Sequence, residues 1–93
     1  MIRGFEDKQT EQVFHRERAK KFAPNIQRAA LRKLLILDAA ESLQDLRVPP
    51  GNHLEKPAGD RKGQYSIRIN DQWRVCFRWS ESDAYDVQIT DYH

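Results

Sequence analysis

The sequence predicts an α+β fold, with two helices packed on one face of a small antiparallel sheet. Three observations carry that expectation. Apolar residues recur at helical spacing through the first half of the chain, and they alternate with polar residues through the second. Between the two regimes stands Pro49-Pro50-Gly51-Asn52, a breaker and loop.

Taken in order, Ile2-Arg3-Gly4-Phe5 is a short candidate edge strand. Asp7 to about Arg16 reads as a first helix, with Asp7 or Thr10 as N-cap and Val13-Phe14 as its apolar contact. Pro24-Asn25 opens the stronger helix. Its stripe runs Ile26, Ala30, Leu34, Leu37 and Ala40, widened by Leu31 and Leu35, and its end is expected near Glu41–Leu46. Leu54–Pro57 forms a possible short strand before the Gly59–Gly63 turn. Then Tyr65, Ile67 and Ile69 alternate with Ser66, Arg68 and Asn70. Trp73, Val75, Phe77 and Trp79 alternate with Arg74, Cys76 and Arg78, and Tyr85, Val87 and Ile89 with Asp86, Gln88 and Thr90. Period-two runs separated by polar turns are antiparallel strands joined by hairpins.

A length of 93 residues fits one domain. Nine aromatic residues (two Trp, four Phe, three Tyr) argue against a disordered chain. The single cysteine, Cys76, excludes an intramolecular disulfide and a Cys-rich zinc site and fits the reducing cytoplasm. The apolar runs are too short for a membrane span, and the N-terminus does not read as a signal peptide. The three histidines, His15, His53 and His93, are far apart, and no ligand cluster at usable spacing suggests a metal. No phosphate-binding glycine loop or other nucleotide fingerprint is present.

The net charge of +2 conceals a strong asymmetry. Residues 16–33 hold seven Lys and Arg against one Glu, a surplus of +6, and residues 56–78 hold six against two Asp, a surplus of +4. Clustered cations of this kind form the electrostatic footprint of a polyanion binder, although a solvated helix face produces the same pattern. If Trp73, Val75, Phe77 and Trp79 face the helices, Arg74 and Arg78 face away. Arg68 joins them there if the register is regular. Three guanidiniums on one sheet surface suit phosphate oxygens, with pairing to Asp86 or Glu81 as the plainer alternative. At the C-terminus Asp91-Tyr92-His93 offers a carboxylate, a phenol and an imidazole, groups suited to proton transfer and base stacking.

Several runs considered together resemble the HigB toxins of the RelE/ParE superfamily. They are Pro49-Pro50-Gly51-Asn52, Leu54-Glu55, Gly59-Asp60-Arg61, Tyr65-Ser66-Ile67-Arg68-Ile69-Asn70, Asp71-Gln72-Trp73-Arg74-Val75 and the terminal Asp91-Tyr92-His93. The likeness spans nearly the whole chain and implies a RelE-like fold. It implies a ribosome-dependent mRNA endonuclease that works in the ribosomal A site without a metal, by attack of a ribose 2′-hydroxyl on the adjacent phosphate. On that resemblance Arg74 stabilises the transition state, and Asp91, Tyr92 and His93 are catalytic. Glu55 and Ala58 stand where the family's pattern has a histidine and a lysine, so Glu55 becomes the candidate base, Lys56 a candidate substitute for the lysine, and a slower or altered nuclease is expected.

Arg18, Lys20, Lys21, Arg28, Arg32 and Lys33 are candidate contacts to ribosomal RNA. Lys56, Arg61, Lys62, Arg68 and Arg78 are further candidate contacts to RNA or the ribosome. The partners implied are a HigA-like helix-turn-helix antitoxin, and operator DNA through the complex with it. Two other readings stay open: a ParE-like toxin that binds a protein target such as gyrase, and an RNA-binding module without catalysis.

Overall fold

The first helix, α1 (Lys8–Phe14), starts where the Asp7 carboxylate accepts a hydrogen bond from the Thr10 backbone N–H at 2.7 Å. This satisfies one of the donors that every helix leaves open at its start. The second, α2 (Pro24–Ala39), starts at Pro24, whose fixed φ suits a first helical position. Gln27 holds the loop between them. Its amide oxygen accepts from the Ala19 N–H (3.1 Å) and from Arg18 Nη1 (2.9 Å), and its Nε2 donates to the Glu17 carbonyl (2.7 Å). The computed structural model describes residues 1–56 and 63–91. The expected Gly59–Gly63 turn therefore lies mostly outside the described residues.

Two 3-10 turns, Leu43–Arg47 and Pro50–Asn52, connect α2 to the sheet. The sheet has strand order β1 (Gln64–Arg68), β2 (Trp73–Ser80) and β3 (Asp83–Asp91), antiparallel throughout. Asn70 closes the β1–β2 turn by accepting from the backbone N–H groups of Gln72 and Trp73, both at 2.8 Å. The N-terminal segment is shorter than the expected strand: Ile2 and Phe5 make isolated parallel bridges to Ala84 and Val87. Glu55 likewise makes one antiparallel bridge to Ser66.

The core lies between the helices and the inner face of the sheet. Val13, Phe22, Leu34, Leu37, Leu46, Ile67, Val75, Phe77, Val87 and Ile89 are buried in one cluster. Each contributes about 1.5–3 kcal/mol of burial in the case of a large side chain. Two contacts orient the layers. The Phe22 and Trp73 rings meet edge-on with centroids 5.2 Å apart, and the Thr10 hydroxyl accepts from the Ile89 N–H at 3.0 Å.

Three expectations are corrected. The second helix stops at Ala39 rather than near Glu41–Leu46. Ala40 is extended, and Ser42 and Asp45 form a capping box that starts a separate 3-10 turn. Leu46 still reaches the core from that turn, which is why its spacing imitated a longer helix. Leu35 does not widen the buried stripe, being 40% exposed. Tyr85 does not share a face with Val87. Arg78 pairs with Tyr85 and Cys76 with Gln88, so Phe77 is opposed by two residues, Asp86 and Val87. This β-bulge, with Asp86 in the left-handed region (φ 52°), flips Tyr85 to the outer face and puts Ala84 inside.

Candidate active site

The outer face of the sheet carries Ser66 and Arg68 on β1 and Arg74, Cys76 and Arg78 on β2. The register confirms the parity, with Arg68 directly across from Arg74 and Ser66 from Cys76. All three arginines face away from the core as expected, but Arg74 is covered there by other parts of the chain. Arg74 is only 6% exposed. Its Nε donates to the Ser66 hydroxyl at 2.9 Å, and its Nη2 donates to the Ser66 carbonyl at 3.2 Å and to the His53 carbonyl. A buried guanidinium must have its donors satisfied. The segment that does so lies 21 residues away in sequence.

That segment is itself locked. Asn52 is fully buried and bonds in three directions. Its Nδ2 donates to the Leu46 and Val48 carbonyls, each at 3.2 Å, and its Oδ1 accepts from Lys33 Nζ at 2.6 Å. His53 follows in the left-handed conformation (φ 43°, ψ 59°), rare for a residue with a side chain, and turns its carbonyl onto Arg74. Burial, followed by the nearby charges of Arg32 and Arg68, lowers the Lys33 ammonium below its ordinary value of 10.5. Lys33 on α2, Asn52 in the loop and Arg74 on β2 are thus one connected arrangement.

Glu55 stands beside this cluster, its Oε2 3.9 Å from Arg74 Nη2 and its side chain half exposed. Arg68 is tied to Asp71, three residues on. Arg78 is exposed and lies 3.9 Å from the Asp86 carboxylate, the cross-strand alternative that the sequence left open. Asp91 pairs with Trp73, one ladder position from the Arg74–Thr90 pair, and its Oδ2 accepts from Gln72 Nε2 at 3.2 Å. Arg61, Lys62, Tyr92 and His93 lie outside the described residues.

The helical block divides. Arg18 is committed to its own loop, where Nη1 donates to the carbonyls of Ala19 and Phe22 as well as to Gln27. Lys33 is turned toward Asn52. Lys20, Lys21, Arg28 and Arg32 are exposed, as is Lys56. Sequence reasoning passed over Ser66, Asn52 and the His53 carbonyl. A polar residue alternating with apolar ones in Tyr65-Ser66-Ile67 is the one local signal for Ser66. Nothing local marks a backbone carbonyl as an arginine's partner. Among the described residues no group of three or more His, Cys, Asp or Glu side chains could hold a metal. No helix there is long and apolar enough to cross a membrane.

Two helices and a three-stranded antiparallel sheet form an α+β frame consistent with the RelE-like toxins. A family model described as the RelE-like toxin of the type II toxin–antitoxin system HigB matches residues 3–93. The chain therefore belongs to the HigB-like family of type II toxins, and a toxin of such a system has an antitoxin as its partner. Toxin HigB-1 of Vibrio cholerae is 42% identical over 90 residues, covering 96% of this chain and 95% of that protein. An uncharacterized protein of Haemophilus influenzae is 33% identical over 69 residues, covering 74% of this chain and 68% of its own length. A shorter match, 43% over 35 residues and 38% of each chain, is to a protein of Proteus vulgaris named Endoribonuclease HigB.

Proposed function

We propose that this toxin, acting as one domain over residues 1–93, is a ribosome-dependent endoribonuclease that cleaves mRNA in the ribosomal A site. The observation that carries the reading is the guanidinium of Arg74, fixed by Ser66 and the His53 carbonyl with the Glu55 carboxylate at 3.9 Å. RNA cleavage of this kind needs three things: removal of the 2′-proton, stabilisation of the extra negative charge on the phosphorane, and a proton for the departing 5′-oxygen. Arg74 supplies fixed positive charge to the phosphorane, and its rigid setting avoids reorganisation as the charge develops. Glu55 takes the 2′-proton in this reading, supported by its carboxylate lying 3.9 Å from Arg74. Attack of the 2′-oxygen forms a bond to phosphorus as the bond to the 5′-oxygen breaks. His93 then delivers a proton to that oxygen, supported by Asp91, while Tyr92 stacks on or orients the nucleotide.

The exposed Lys20, Lys21, Arg28 and Arg32 contact ribosomal RNA, and Lys56, Arg61, Lys62, Arg68 and Arg78 contact the message or its surroundings. Arg18 braces the loop that carries Lys20 and Lys21, and Lys33 braces Asn52. The antitoxin is a HigA-like helix-turn-helix protein through which the complex reaches operator DNA, and the toxin acts in the cytoplasm.

Primer extension on a translated mRNA, with and without ribosomes, tests the reading. Cleavage is expected only with ribosomes and is expected to be lost in Arg74→Ala. Unchanged cleavage by that variant overturns the assignment of Arg74. Gyrase inhibition with intact mRNA overturns the nuclease reading in favour of a protein-binding toxin.

A further inference from the structure

The bulge at Asp86 places an aromatic side chain where alternation alone would not. Tyr85 is 39% exposed on the outer face, and its ladder partner is Arg78 on β2. The Arg78 side chain is 59% exposed, and among the described residues the carboxylate paired with it, Asp86, is 3.9 Å away and half exposed. An exposed pair at that distance holds its partners weakly, so Arg78 can exchange Asp86 for another anion. Gln64, opposite Arg78 on β1, and Gln88, opposite Cys76 on β3, are neutral and able to hydrogen-bond. A tyrosine ring, a displaceable guanidinium and two flanking amides are the components with which proteins hold single-stranded RNA: a stacking surface, a cation and adaptable donors.

The position matters as much as the composition. Arg74 and Arg78 point the same way from β2 four residues apart, which is about 13 Å along a strand. That distance corresponds to roughly four nucleotides at a stacked rise of 3.4 Å and to fewer in an extended strand. Both arginines thus belong to the outer face of one strand.

We propose that Tyr85, with Arg78 beside it, stacks on a nucleobase of single-stranded mRNA within a few nucleotides of the phosphate that Arg74 holds. The proposal rests on the nuclease reading for its place in the reaction, though not for RNA binding itself. Tyr85 is then a binding residue that sets the register of the message. The bulge is the device that presents it, and its polar neighbours Arg78, Gln64 and Gln88 favour a base over an apolar protein surface.

The test uses the full chain and a fluorescein-labelled single-stranded pyrimidine octanucleotide, with affinity read by anisotropy at fixed low salt. In parallel, cleavage of a translated mRNA is mapped by primer extension. Tyr85→Ala is expected to weaken octanucleotide binding about five- to a hundred-fold and to scatter or reduce cleavage, whereas Tyr85→Phe, which keeps the ring, recovers most of the affinity. Circular dichroism of Tyr85→Ala matching wild type confirms that the fold is kept. Wild type that cleaves normally while Tyr85→Ala binds and cleaves equally well overturns the subsite and leaves the nuclease reading intact. Wild type that binds RNA through Tyr85 yet cleaves nothing overturns the nuclease reading and supports the subsite. No binding of the octanucleotide by wild type overturns the proposal. So does unchanged RNA affinity in Tyr85→Ala with a weakened antitoxin complex, which would assign this face to the protein partner.

Discussion

The two faces of the sheet are built on different principles. The inner face is apolar and redundant. Ile67, Val75, Phe77, Val87 and Ile89 meet Leu34, Leu37 and Phe22, and each contact is non-directional. The outer face at Arg74 depends on directional bonds, which among the described residues include those to Ser66 Oγ and to the Ser66 and His53 carbonyls, with Asn52 and Lys33 behind them. The inner face stores stability, and the outer face stores geometry. Their responses to mutation should therefore differ in kind.

The largest expected effect is on the inner face. Phe77→Ala empties a fully buried site against Tyr65 and Trp79 and should cost about 3–5 kcal/mol. That is a large share of the roughly 5–15 kcal/mol a domain possesses, and it is read by urea unfolding. A loss of cleavage in that variant should track the fraction unfolded. Next comes Arg74→Lys, which keeps the charge and loses the planar donor set. A drop of about 10²–10³ in cleavage rate is expected, with a small change in unfolding midpoint. Equal losses of rate and stability would erase the distinction between the faces. Third, Asn52→Ala removes the donors to the Leu46 and Val48 carbonyls and the acceptor for Lys33, all in a buried place. About 1–3 kcal/mol of stability should go with it, and the cleavage rate should fall beyond what unfolding explains, because the His53 carbonyl is no longer fixed. Calorimetry beside single-turnover cleavage separates the two.

The smallest effect sharpens the comparison from outside both faces. Asp83 suffers some desolvation, but hydrogen bonds and charge from Arg3 and the N-terminal ammonium outweigh it and hold its carboxyl below the ordinary 3.8. A depressed carboxylate favours the folded state above that ordinary value and stops doing so as pH falls through the lower folded one. The stability difference between wild type and Asp83→Asn should therefore be constant near neutrality and vanish in acid, as followed by thermal unfolding across pH.

The same contrast separates what could be read in the sequence from what could not. The alternation of Val75 and Phe77 with Arg74 and Cys76 announces both strand and face, because burial of one side of a sheet has to repeat every second residue. The stripe Ala30, Leu34 and Leu37 announces α2 for the same reason at a different period. Arg74 was legible as an outer-face cation. Its burial was not, since the covering carbonyl arrives from a loop remote in sequence. The bulge was also hidden. Asp is among the side chains that tolerate the left-handed region, but a lone Asp in a polar slot of an alternating row reads as an ordinary outward residue, so Tyr85 looked like one more member of an apolar row. The end of α2 did leave a trace, Ser42 and Asp45 at capping-box spacing, which the helical spacing of Leu46 masked.

The bridges made by Ile2, Phe5 and Glu55 have a consequence for how the chain survives its own synthesis. A finished sheet with bare rims is a template on which further chains can add. Here Ile2 and Phe5 border β3, and Glu55 borders part of β1. In both cases the guarding segment precedes the strand it guards, so it has already left the ribosome when that strand emerges. Neither rim has to wait for its cover, and the time during which nascent copies could zip together is kept short.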